Sequence, residues 1–184
     1  MKFFLIHGAY GSPNENWFPW LRAELEKQGH KVIIPKFPTP QNQNLDSWME
    51  VFEPYLDELG PDTVLVAHSL GPAFALSVLE AINTPVKACF FVAGFLGKLG
   101  NKKFDALNAS FVLQEFDWTK IKENGSSFFL YGSDNDPYVP LKLEEDFASL
   151  LDSDLYIVPG AGHFNTDSGY NEFPRLLEDI QKLN

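Results

Sequence analysis

Three residues of this chain have the types and the order needed for nucleophilic acyl transfer: Ser69, Asp136 and His163. A serine hydroxyl attacks a carbonyl only when a base takes its proton, and a histidine base needs a carboxylate to hold its tautomer and stabilise the imidazolium. Ser69 lies in Ala67-His68-Ser69-Leu70-Gly71, between an apolar strand-like run and a helix-compatible one. Small residues two positions either side, Ala67 and Gly71, suit a turn that tight. His163 follows Gly160-Ala161-Gly162, a loop supple enough to bring an imidazole back over a sheet edge. The acid comes from Asp134-Asn135-Asp136, where Asp136 ranks above Asp134 because it directly precedes the run Pro137 to Pro140 that turns into a helix. Each residue also has a plainer use, as a helix cap, a turn former or a surface side chain. Their joint placement at strand ends is what favours chemistry.

An acyl transfer also needs donors for the oxyanion. The helix that starts after Ser69 aims its first free N–H groups, Leu70's among them, beside the hydroxyl. The second donor is expected from the loop after the first strand, where Gly8 permits close approach and Ala9 N–H is the choice, with Tyr10 as the substitute. His7 is expected to brace that loop, and His68 to point away from Ser69 on the alternating strand. Neither is assigned as the base. No metal and no cofactor is expected. Asp134, Asp136 and Glu145 match EF-hand positions one, three and twelve, but Val139 and Tyr138 stand where glycine and a ligand belong. The loop Gly8-Ala9-Tyr10-Gly11 lacks a Walker lysine and the third glycine of a dinucleotide fingerprint.

The elements that must position these residues alternate along the chain. Strands are expected over residues 3–6, 30–35, 63–67, 86–93, 127–131 and 155–158. Helices are expected over 17–28, 45–59 with a kink at Pro54, 70 onward, 140–151 and 171–183. Such alternation implies a three-layer α/β/α sandwich around about six parallel strands in the order 2-1-3-4-5-6. That order sets the loops after the first and third strands side by side, which juxtaposes Ala9 with Ser69. Residues 94–125 mix Phe95, Leu96, Phe104, Leu107, Phe111, Phe116 and Trp118 with glycines and lysines. Short helices forming a small cover over the site are expected there.

A length of 184 residues, 45% hydrophobic and 15% aromatic, suits one domain over 1–184. With 14 basic and 25 acidic residues the net charge is −11, which repels phosphate backbones and anionic lipid, so neither nucleic acid nor a membrane is an expected partner. The longest nearly apolar stretch, residues 88–97, is far short of the roughly 20 residues that span a bilayer. Cys89 is the one cysteine and lies in an apolar strand, so it reads as core packing in a reducing, cytoplasmic setting. The two N-x-S sequons, at Asn108 and Asn124, read as chance.

Taken together, His7-Gly8, Asn16-Trp17-Phe18-Pro19-Trp20-Leu21, Ala67-His68-Ser69-Leu70-Gly71, Asp136 and Gly162-His163-Phe164 resemble the small serine hydrolases of the retinoblastoma-binding-protein-nine and YdeN type, over nearly the whole chain. The order Ser, Asp, His is the α/β-hydrolase order, and the elbow G-x-S-x-G is met except for Ala67, which the bacterial branch of the family shares. The resemblance implies a minimal α/β-hydrolase with a Ser69, Asp136 and His163 triad and esterase-like activity on a small-molecule acyl substrate. The L-x-C-x-E motif behind the vertebrate relative's retinoblastoma binding is missing around Cys89. Hydrolysis of a small carboxylic ester is the leading expectation. Amide or peptide hydrolysis, and a non-catalytic protein-binding module on the same fold, are the alternatives.

Overall fold

The computed structural model describes residues 1–183. Strand β1 is Lys2–Ile6, followed by α1, Phe18–Lys27, and β2, Lys31–Ile33. Next come α2, Leu45–Phe52, then β3, Thr63–His68, and α3, Gly71–Ala81. Strand β4, Ala88–Val92, precedes two helices, α4, Lys102–Val112, and α5, Trp118–Gly125. The chain closes through β5, Phe128–Gly132, α6, Leu141–Leu150, β6, Leu155–Ile157, and α7, Pro174–Gln181. Among the described residues no helix is long and apolar enough to cross a membrane.

All six strands run parallel in the order β2-β1-β3-β4-β5-β6, as the alternation required. Every residue of β3 and β4 is buried, because a central parallel strand has helices on both faces. Period-two alternation then sorts the side chains. Phe4, Ile6, Leu65, Ala67 and Phe91 face one core with α2, α3 and α6, while Phe3, Leu5, Val64, Val66 and Phe90 face the other with α1 and α7. Registers Ile6↔Ala67, His68↔Val92 and Gly132↔Ile157 bring the carboxyl ends to one edge. The loops after β1, β3, β5 and β6 all open there.

Several boundaries differ from the sequence expectation for local reasons. The helix expected over 45–59 is α2 followed by a 3₁₀ turn, Glu53–Glu58, because Pro54 has no N–H to continue the α ladder. Asn44 and Ser47 close its start as a reciprocal capping box. The last helix begins at Pro174 rather than at 171, with Phe173 as its non-helical entry residue. At β2 and β6 only three residues pair, since each is an edge strand flanked by proline or by exposed side chains.

Candidate active site

Ser69 adopts φ of 61°, a left-handed conformation that costs a non-glycine residue roughly 1–3 kcal/mol. The turn is held from both sides. Ser69 N–H donates to Val92 O at 2.9 Å, and α3 starts immediately afterwards with Leu70 as its entry residue. Gly71 is obligatory in this packing, since a Cβ there would stand 2.5 Å from Ile6 O. A Cβ on Gly8 would stand 2.7 Å from Ser69 Cβ, so the loop after β1 lies directly against the serine. Among the described residues the N–H groups of Ala9 and Leu70 donate to nothing, whereas Tyr10 N–H is committed to Thr39 Oγ1 at 2.6 Å. The substitute donor is thereby spoken for.

His163 Nε2 lies 3.0 Å from Ser69 Oγ, and its Nδ1 lies 2.6 Å from Asp136 Oδ2. The Asp136 side chain is wholly buried, and its other oxygen accepts from the backbone N–H groups of Tyr138 and Val139 at 2.8 and 3.0 Å. Asp134 does something else. Its Oδ1 accepts from Gly160 N–H at 2.8 Å, and Asn135 Oδ1 accepts from Gly162 N–H at 2.7 Å, so the loop after β5 grips the loop after β6 at three successive residues.

His68 ends β3 against Trp17, ring centroids 6.0 Å apart, yet it also lines the cavity that holds Ser69, and it is not idle. It packs under the His163 ring with centroids 4.8 Å apart, and Nε2–H donates to His163 O at 2.8 Å. Burial, followed by the neighbouring His163, lowers its pKa to about 3, so the ring is neutral and the Nε2–H tautomer is the one that fits an acceptor-only carbonyl. Trp17 Nε1–H donates to Phe164 O at 3.0 Å and completes the support from below. His7 braces its loop in a comparable way. Phe37 N–H donates to Nε2, which leaves Nδ1–H to donate to Gly8 O at 2.9 Å, and burial lowers its pKa.

Beneath Asp136 lies Glu144 on α6, 1% exposed, with Oε2 accepting from Ser133 N–H at 3.1 Å and Oε1 without a partner among the described residues. Burial pushes its pKa up to about 8, with the Ser133 N–H opposing and the Asp136 charge adding to the rise. This residue escaped the sequence reading, as did the roles of His68 and Asn135. A polar run opposite a glycine-rich loop was the available sign for Asn135. For Glu144 there was none, because an acidic residue in the first turn of a helix normally faces water.

Around Ser69 and His163 opens a cavity of about 450 Å³. Phe95, Leu99 and Phe104 line part of it, with Tyr10 and Tyr138 at the rim; Glu15, Asn16, Asn165, Thr166 and Asp167 line another part. Only the first half of residues 94–125 reaches this cavity. Ile121 on α5 is buried in the core, and Phe116 and Trp118 pack against that core.

A parallel sheet of this order, with a serine on the strained turn between β3 and α3, defines an α/β-hydrolase. The chain belongs to the serine hydrolase family, whose model matches residues 3–182. It is 32% identical to YdeN of Bacillus subtilis (strain 168) over 177 residues, 95% of this chain and 92% of that protein. Serine hydrolase RBBP9 of Rattus norvegicus is 27% identical over 178 residues, 96% of this chain and 91% of that one. Among solved structures, the Bacillus subtilis ydeN gene product superposes with a TM-score of 0.92 at 30% identity, covering 99% of this chain and 97% of that one. The α/β hydrolase MGS-MChE2, from the metagenome of sediments of the Mar Chica lagoon, shares the fold at a TM-score of 0.71 and 20% identity, covering 99% and 90% of the two chains.

Proposed function

We propose that this protein hydrolyses small carboxylic esters through an acyl-enzyme on Ser69. His163 takes the serine proton and later returns one to the leaving alcohol, Asp136 holds the imidazole, and the N–H groups of Ala9 and Leu70 receive the oxyanion. The observation that carries this reading is the unbroken line from Asp136 Oδ2 to His163 Nδ1 and from His163 Nε2 to Ser69 Oγ, beside two unengaged donors. Proton return puts the leaving group beside His163 Nε2. The polar lining of Asn165, Thr166 and Asp167, two to four residues past His163, therefore faces the leaving group, and the aromatic lining faces the acyl chain. Residues 95–108 act as its cover. A cytoplasmic location belongs to the same reading, on the strength of the buried, unpaired Cys89.

A fluorophosphonate probe tests this directly. Labelling is expected at Ser69 and is expected to vanish in Ser69→Ala and His163→Ala, with p-nitrophenyl ester turnover falling by about 10⁴-fold or more in each. A native protein that stays unlabelled while folded would instead make this chain a binding module.

A further inference from the structure

Asn108 is 3% exposed, lies on α4 and lines the cavity beside Ser69. Its orientation is fixed by a chain of hydrogen bonds with one self-consistent assignment. Gln43 Nε2 donates to Leu107 O at 3.4 Å and to Asn108 at 2.9 Å; because a carbonyl can only accept, the Gln43 atom is the nitrogen and the Asn108 atom facing it is Oδ1. Gln43 Oε1 accepts from Thr39 Oγ1 at 2.6 Å, and Thr39 Oγ1 accepts from Tyr10 N–H at 2.6 Å. The Asn108 amide nitrogen is left over. No acceptor among the described residues meets it, yet it is not sealed from solvent, and the opening available to so buried a residue is the cavity itself.

An amide that presents free N–H donors to the cavity beside an otherwise apolar wall can bond water while the cavity is empty, so a ligand that displaces that water without supplying an acceptor leaves the donors unpaired at a cost. The tether matters as well, since the same chain ends one residue beyond Ala9, so Asn108 belongs to the acyl side of the site and not to the His163 loop. From this geometry, and resting on the ester-hydrolase reading above, we infer that Asn108 Nδ2 selects acyl groups that carry a neutral hydrogen-bond acceptor, a ketone, amide or ether oxygen, on an apolar body. A plain alkyl chain leaves the donors unpaired. A carbonyl at the right carbon pairs with one of them. Sites built to bond a polar substrate group discriminate far more sharply than apolar pockets do.

The test uses matched p-nitrophenyl esters, plain straight-chain acids against the same acids with a ketone moved one carbon at a time along the chain, each corrected for its alkaline hydrolysis rate. The readout is the ratio of kcat/KM for oxo to plain ester, in which any loss common to both cancels. The native protein is expected to favour the oxo ester by about 10-fold or more at one ketone position and not at others. Asn108→Asp keeps an oxygen for Gln43 and replaces the donor by a carboxylate oxygen, and Asn108→Leu removes both; each is expected to bring the ratio down to about one or below, with folding checked by thermal melting. A native ratio near one at every position, with good turnover of the plain esters, overturns this inference and leaves the ester-hydrolase reading standing. So does a preference that survives in Asn108→Asp. Absence of turnover on every ester together with an unlabelled Ser69 overturns both.

Discussion

Glu144 shows how one buried carboxyl ties stability to pH. Its native pKa of about 8 stands above the ordinary 4.5, so the folded protein holds a proton that the unfolded chain releases. Whatever stability this group contributes is complete below the unfolded value and is lost as pH rises through the folded one, at about 1.4 kcal/mol per pH unit in between. Glu144→Gln keeps an acceptor for Ser133 N–H and cannot ionise. We expect its melting temperature to exceed that of the native protein at pH 8, and the gain to shrink steadily toward pH 5. A gain that grew on acidification would contradict a protonated Glu144. His68 works in the opposite sense. Lowered from 6.5 to about 3 by burial, it gives up stability as pH falls through that window, so the two buried groups squeeze the fold from both sides.

At the scale of elements, the site depends on one loop being held in register. The segment between β6 and α7 carries His163, and its backbone is gripped by Asp134, Asn135, His68 and Trp17. Removing one grip keeps the backbone bond from Ser69 N–H to Val92 O that holds the serine turn. We expect Asn135→Ala and His68→Phe to lower kcat by about 10²-fold with little change in KM, because a displacement near 1 Å at the reacting groups costs about that much. Slower fluorophosphonate labelling at an unchanged stoichiometry is the accompanying sign. Unchanged kcat in both variants would mean that the loop holds itself. Gly8→Ala probes the other wall: its methyl would collide with Ser69 Cβ, so activity is expected to fall much further than the melting temperature.

These grips mark the boundary of what sequence could reveal. Strand order and the meeting of the loops carrying Ala9, Ser69, Asp136 and His163 followed from alternation of strands and helices, because parallel connections leave few topologies. The ranking of Asp136 over Asp134 as the partner of His163 followed from its place directly before the run Pro137 to Pro140, but what Asp134 does instead, holding Gly160 N–H, did not, since it depends on where the backbone aims the loop. Asn108 was legible only as a sequon. Its meaning comes from Gln43, 65 residues away, and no local pattern announces a contact of that kind.

For the molecule as a whole, charge is the dominant long-range property. A net charge of −11 on a domain this small surrounds the cavity with a negative field that reaches about 10 Å at 0.1 M salt. At the mouth the local balance is mixed: Glu15 and Asp167 line the cavity, while Lys103 lies 5.2 Å above the Tyr10 ring. One lysine at the rim is a single charge against the whole surface, so the global field should set the approach of a charged substrate. We expect kcat/KM for a p-nitrophenyl ester bearing a free carboxylate to rise several-fold as salt is raised from about 0.01 M to 0.3 M, where the screening length falls from about 30 Å to below 10 Å. The matching neutral ester should stay flat over the same range and serves as the control. A carboxylate ester whose kcat/KM falls with added salt would instead place the controlling charge at Lys103, on the rim of the acyl side.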